Sequence, residues 1–308
     1  RAIQGQYPPG STVKPMMAMA GLQAGLVTPE STVADPGWYS LPGDSRRYRD
    51  WILKIRGTGH APRVDMHMAV AESCDVYFYD LARRLTIDRM HDYLSGYGLG
   101  KRTGVDTTNE RPGVLPSTRW KRDTMNQPWY PGETLSAGIG QGYMLATPMQ
   151  LAAATTGLAT RGQARTPRLL RSVAGQTQPI DARETITAPP DYWDAVHESM
   201  RAVVHSARGT ARKIGEDIRY QMASKTGTSQ VIGIAQNAIY VEAEVAERHR
   251  NHGLFIAFAP YESPTIAVAV IVENGGGASA ASPIARAVLD AWLVDEAALD
   301  SEATAGAL

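Results

Sequence analysis

Two apolar runs near the C-terminal end limit the folds open to this chain more than any other feature. Residues 253–259 read Gly-Leu-Phe-Ile-Ala-Phe-Ala, and residues 265–273 read Thr-Ile-Ala-Val-Ala-Val-Ile-Val-Glu. Both are β-rich, and the turn Pro-Tyr-Glu-Ser-Pro at 260–264 separates them. Runs of this length bounded by proline pair as an antiparallel hairpin. A third run with strand character, 222–231, holds Lys225-Thr226-Gly227-Thr228-Ser229. A helical stretch at 281–294 follows the hairpin. Elsewhere, apolar spacing is mostly helical, which predicts an α+β fold with an antiparallel sheet covered by helices.

The predicted helices span 11–26, two segments within 64–85, 88–99, 147–160 and 191–206. The first follows Pro8-Pro9-Gly10, and Met16, Met17, Met19, Ala20, Leu22 and Leu26 suit one helix face. Ser73-Cys74-Asp75 marks the junction inside 64–85. Thr147 with Pro148 reads as a capped helix start, and Gly162 as its stop. Residues 28–63 are rich in Pro, Gly, Asp and Trp and read as an irregular excursion. Residues 100–146 read as Gly, Pro and Trp turns, and 163–190 as extended or looped.

The 308 residues allow about two domains or one large one. Lys+Arg and Asp+Glu both number 31, which argues against a protein that holds nucleic acid by bulk charge. The single cysteine, Cys74, excludes an internal disulfide. The longest apolar runs are far too short to cross a bilayer. The chain opens in the loop before its first helix, so the expectation is that an anchor and the first strands of the sheet lie upstream.

Three short patterns stand in order: Ser11-x-x-Lys14, Ser73-x-Asp75 and Lys225-Thr226-Gly227-Thr228. Each is weak by itself. Serine is a favoured helix cap, so Ser11 and Ser73 both have an ordinary reading. Together they supply what acyl transfer needs. Residues at i and i+3 are neighbours on a helix, so Ser11 would sit beside Lys14. Ser11 is the candidate nucleophile, and an adjacent base must activate it. Lys14 serves only when neutral, and the charge of Lys225 with partial burial would lower its pKa. Ser73 would relay a proton. Lys225, Thr226 and Thr228 would hold a substrate carboxylate, with Asp75 and Gly227 completing the substrate-binding set. The backbone N–H groups of Ser11 and Thr228 would form an oxyanion hole. The strand carrying Lys225 would pair with an extended peptide.

These patterns in this order are the signature of penicillin-binding proteins and serine β-lactamases. The sequence resembles the transpeptidase domain of class B penicillin-binding proteins, and within them the elongation-type penicillin-binding protein 2. The similar residues are 7–15, Asp35-Pro36-Gly37-Trp38, Arg47-Tyr48-Arg49-Asp50-Trp51, 138–143 with Thr147-Pro148, and Phe258-Ala259-Pro260-Tyr261 with Glu273-Asn274-Gly275-Gly276. The resemblance implies a transpeptidase domain over 1–294 with a penicillin-binding, serine β-lactamase-like fold that includes an all-helical subdomain; the small, polar composition of 295–308 predicts a disordered tail. It implies D,D-transpeptidation: the serine attacks a D-Ala-D-Ala stem peptide, releases D-alanine and passes the acyl group to an amine on a neighbouring strand. It implies acylation by β-lactams and a place on the periplasmic face of the bacterial inner membrane. It also implies a membrane glycosyltransferase of the elongation machinery as partner, and no cofactor for catalysis. One departure is Asp75, where many relatives carry Asn; an ionised carboxylate only accepts hydrogen bonds. The other is the expected absence of the early strands.

Cys74 lies inside the middle motif, and the excursion before it supplies Asp35, Asp50 and His60. All are zinc-ligand types, but the spacing matches no standard motif. On composition, Cys74 reads as a small buried residue and His60 as a loop residue. The resemblance to the elongation-type branch favours a structural zinc instead. Two rivals remain: a serine β-lactamase, for which Glu133 is the candidate that activates water, and a non-catalytic β-lactam sensor.

Overall fold

The computed structural model describes residues 1–181, 186–231 and 244–295. The tail expected from 295 onward lies outside the described residues beyond Asp295.

A 3-10 turn, Gly10–Val13, leads straight into α1, Lys14–Gln23. The spacing predicted one buried face, but every residue from Lys14 to Leu22 is buried. A helix that is apolar almost all round belongs at the centre of a fold, and α1 is that centre. The excursion is irregular as expected. It holds a two-residue antiparallel pair, β1 (Trp38–Tyr39) with β2 (Tyr48–Arg49), and the short helix α2, Leu53–Arg56. Next come α3 (Met66–Ala71), α4 (Asp75–Leu85) and α5 (Ile87–Gly96). The junction between α3 and α4 falls on the Ser73 triplet.

Residues 100–146 contain two helices that the sequence reading passed over, α6 (Thr118–Met125) and α7 (Pro131–Gly138). In α6 only Lys121 is buried, so an apolar stripe was never there to read. Its start was legible, since Ser117 caps Trp120 N–H at 3.0 Å. Helix α8, Pro148–Ala159, begins as predicted: Thr147 and Gln150 form a reciprocal capping box, with bonds of 2.8 and 3.1 Å. Residues 163–190 hold the small pair β3 (Ser172–Val173) and β4 (Gln176–Thr177), followed by α9, Pro190–His205.

The sheet is antiparallel in the order β5 (Ala223–Ser229), β6 (His252–Ala259), β7 (Ile266–Val272). Lys225 pairs with Ile256, and Gly253 pairs with both Thr228 and Val272. In β6 every residue from Gly253 to Ala259 is buried, because α9 and α10 (Ala278–Asp290) pack against this sheet. A strand enclosed in this way reads as a continuous apolar run rather than an alternating one. Burying Phe255 and Phe258 stabilises the fold by about 1.5–3 kcal/mol each. The α+β architecture is as predicted, and the helical layer of α3 to α8 forms the all-helical part.

Candidate active site

Ser11 lies half-buried in the 3-10 turn, three residues before Lys14, the first residue of α1. The ordinary reading of Ser11 as a helix cap does not hold: the cap position is Pro9, and no side chain caps the turn. Thr12 does the local bonding instead, its hydroxyl donating to Pro9 O at 2.7 Å. The turn is clamped on both sides. Gly10 N–H donates to Gly140 O at 2.8 Å, and Gln141 Nε2 donates to Thr228 O at 2.8 Å. Gly140 has φ +72°, and a Cβ there would lie 2.2 Å from Gly10 O, so no other residue fits. The run 138–142 is thus a brace between the Ser11 turn and the tip of β5.

Lys14 is fully buried, and its ammonium is surrounded by the middle motif. Nζ donates to Asp75 Oδ1 at 2.6 Å, to Ser73 O at 2.8 Å and to Ser73 Oγ at 3.3 Å. Ser73 has φ +61°, an uncommon conformation for serine that costs about 1–3 kcal/mol. It is held there because the N-terminus of α4 is capped by others. Cys74 Sγ accepts from Tyr77 N–H at 3.5 Å. Asp50 Oδ2, reaching in from the excursion, accepts from Asp75 N–H at 2.6 Å and Val76 N–H at 3.2 Å. The Ser73 hydroxyl is therefore free of cap duty and turned to Lys14.

The carboxylate of Asp75, a candidate substrate-binding residue, has partners inside the protein. Oδ1 pairs with Lys14, and Oδ2 accepts Trp51 N–H at 3.3 Å. Burial holds its carboxyl above the usual range, against the pull of Lys14. Lys225 is the amine pushed well below its ordinary value, first by complete burial and then by the charge of Lys14. Its Nζ donates to Thr226 O at 3.1 Å.

On β5, Gly227 shares a face with Lys225 and abuts the Ser11 turn: a Cβ there would lie 2.8 Å from Thr12 Cγ2. Thr228 is exposed at the tip. Thr226 is buried, and its hydroxyl shares a 2.7 Å hydrogen bond with Thr210. Trp51 and Gln141 were not singled out. Trp51 Nε1 donates to Ser73 O at 3.0 Å. Nothing in the local pattern announces either role, since each depends on a loop returning from elsewhere in the chain.

Asp35, Asp50, His60 and Cys74 converge beneath this site. One donor atom from each lies within 4.8 Å of all the others, and all four residues are buried. His60 Nδ1 is 2.8 Å from Asp35 Oδ2 and 3.6 Å from Asp50 Oδ2. His60 Nε2 is 3.2 Å from Glu72 O, a bond that turns Nδ1 toward the cluster. Burial alone would lower the His60 pKa, but its bonds to Asp35 and Asp50 raise it to about 9. Burial pushes Asp35 up, and the bonds from His60 and from the His60 and Gly37 backbones outweigh that and hold it low. Burial, then the two carboxylates, pushes the Cys74 thiol well up. Two carboxylates, an imidazole with its second nitrogen tied to a carbonyl, and a thiol form a donor set suited to a tetrahedral metal.

A sheet edge carrying Lys-Thr-Gly beside an enclosed helix that starts Ser-x-x-Lys defines the active-serine, penicillin-recognising class, which holds cell-wall transpeptidases and serine β-lactamases alike. The chain belongs to the family described as penicillin binding protein transpeptidase domain, which it matches over residues 1–290. It is 44% identical over 300 residues to peptidoglycan D,D-transpeptidase MrdA of Acinetobacter baumannii, covering 96% of this chain and 43% of that protein. Among solved structures it resembles penicillin-binding protein 2 of Pseudomonas aeruginosa, with a TM-score of 0.84 and 47% identity over 96% of this chain and 63% of that one. It also resembles penicillin-binding protein 2 of Helicobacter pylori in a complex with MreC, with a TM-score of 0.77 and 32% identity over 91% of this chain and 48% of that one. The chain spans a little under half the length of the curated relative.

Proposed function

We propose that this chain carries the D,D-transpeptidase activity of an elongation-type penicillin-binding protein, in a domain spanning about 1–294. The observation that carries the reading is the Ser11 turn, excused from capping and packed between Gly140 and the Thr228 end of β5, with the buried Lys14 opening the helix that follows. A stem peptide ending in D-Ala-D-Ala lies along β5, its carboxylate drawn to Lys225 and Thr228. The Ser11 proton passes to Lys14 as Lys14 yields its own toward Asp75, whose buried carboxyl holds a proton more readily than an exposed one. Ser11 Oγ attacks the penultimate carbonyl, and the Ser11 and Thr228 N–H groups face the oxyanion. Ser73 gives a proton to the departing D-alanine and regains one from Lys14, which recovers its own from Asp75; an acceptor amine then displaces Ser11, and the amine's proton passes to Ser11 Oγ.

Glu133 does not fit the water-activating role that a β-lactamase needs. Its carboxylate pairs with the buried Lys121 and accepts Tyr130 N–H at 2.8 Å, which closes the start of α7. Incubation with a D-Ala-D-Ala donor and an amine acceptor is expected to yield a cross-linked product and a penicillin adduct that outlasts the assay. Rapid penicillin turnover would assign the fold to a β-lactamase, and a durable adduct without cross-linking to a sensor.

Asp35, Asp50, His60 and Cys74 would hold a structural zinc. The metal would supply a fixed tetrahedral centre tying the excursion to the helix junction, and all four positions come from protein. Protein prepared without chelator is expected to contain about one zinc per chain by elemental analysis. Metal-free protein of unchanged stability and penicillin reactivity would remove the site from the account. A membrane glycosyltransferase as partner and the periplasmic face of the inner membrane as location follow from the same reading. Among the described residues no helix is long and apolar enough to cross a membrane.

A further inference from the structure

The loop that follows α9, residues 206–211, touches two of the three motifs at once. It is tied back to its own helix: Gly209 N–H donates to Ser206 O at 3.1 Å, and Ala211 N–H donates to Val203 O at 2.9 Å. A Cβ at Gly209 would lie 2.3 Å from Val203 O, so this close approach needs glycine. On one side the loop is pinned beside the middle motif. Thr210 N–H donates to Ala71 O at 3.2 Å, two residues before Ser73, and Arg208 Nε pairs with Glu72 Oε1 at 2.8 Å. On the other side it meets β5, where the Thr210 and Thr226 hydroxyls are 2.7 Å apart. The half-buried Thr210 thus holds its hydroxyl on a backbone fixed from three directions.

The direction of the bond between the two hydroxyls follows from counting donors and acceptors. A threonine oxygen has one hydrogen to give and two lone pairs to fill. Lys225 Nζ donates to Thr226 Oγ1 at 3.4 Å, which fills one lone pair. When Thr210 donates as well, the second is filled and the Thr226 hydrogen is left over. When Thr226 donates to Thr210 instead, that hydrogen is spent inside the protein. A carboxylate only accepts, so it selects the first arrangement. Thr226 and Thr228 are two apart on β5 and share a face, so the leftover hydrogen lies on the same side of the strand as the exposed Thr228. Hydroxyls bonded in a row also polarise one another, which strengthens the last donor.

We propose that Thr210 is a positioning residue for the donor carboxylate: it donates to Thr226 Oγ1 and so aims the Thr226 hydrogen at the carboxylate that Lys225 and Thr228 attract. This rests on the transpeptidase reading. Thr210 acts through Thr226 and touches no substrate itself.

The test compares acylation of the whole chain by a penicillin and by the methyl ester of the same penicillin, which has no carboxylate. The wild type is expected to react with the acid about 100-fold faster than with the ester. Thr210→Val removes the hydroxyl and keeps the shape. It should cut that preference by about tenfold, through a slower reaction with the acid alone, because a misaimed hydrogen matters only where a carboxylate can accept it. The acid-to-ester ratio is unaffected by any loss of folded protein, which lowers both rates equally. Thr210→Ser restores a hydroxyl and should restore the preference. In a Thr226→Val background, Thr210→Val should cost nothing further. A wild type indifferent to the carboxylate overturns the inference and leaves the transpeptidase reading in place. So does a Thr210→Val variant that keeps the preference or slows acid and ester alike, and so does a further loss in the Thr226→Val background. A wild type that reacts with neither compound would overturn both readings together.

Discussion

Lys14→Arg will slow penicillin acylation by about 10³- to 10⁴-fold and leave the protein folded. Arginine keeps the positive charge and can still donate to Asp75 and Ser73. It cannot give up a proton in a protein, so it cannot act as the base. The distinctive readout is the pH profile: raising the pH should recover none of the lost rate. Because Lys14 is wholly buried, a larger side chain strains its surroundings, so Lys14→Ala provides a second measurement. That variant leaves Asp75 buried without its cation, and the carboxyl meets the loss by staying protonated. Its acylation rate should fall as far as that of Lys14→Arg. Either variant acylating at near the wild-type rate would take Lys14 out of the mechanism.

His60→Ala will lower the stability of the fold by about 3–5 kcal/mol, since Asp35 and Asp50 are left buried without their common partner. For a protein of this size that is a fall in Tm of roughly 10 °C. The damage should reach the active site, because Asp50 also caps the start of α4, which positions Ser73. The pH dependence separates the metal-free from the metal-bound state. Without metal, the His60 pKa is raised from an ordinary value of 6.5 to about 9. The stability it contributes is then fully present below 6.5 and is lost as pH rises through 9. With zinc bound, the imidazole is already neutral, and that alkaline loss should vanish. Acid should instead weaken the metal-bound protein, as the ligands take up protons. Thermal melts between pH 6 and 9.5, with and without chelator, read both behaviours.

Much of this was legible because local signals and tertiary demands agree. The apolar runs at 253–259 and 265–273 have little choice but to pair, and Thr147 with Gln150 fixes the start of α8. The three motifs could be placed on a helix start, a helix junction and a strand from their surroundings. What could not be read were roles created by a returning loop. Asp50 caps a helix 25 residues on, and Trp51 supports Ser73 in the same way. Helix α6 escaped because its one buried residue is a lysine. The charge environment was hidden for a related reason: spacing does not show that Asp75 pairs with Lys14, or that burial pushes Lys225 well below its ordinary value.

Mass spectrometry of the intact chain after penicillin treatment, followed by peptide mapping, goes to the heart of this assignment. One adduct per chain is expected, on the peptide that contains Ser11, and none on the Ser11→Ala variant. An adduct that maps elsewhere, or that persists in Ser11→Ala, would contradict the placement of the nucleophile on the turn before α1.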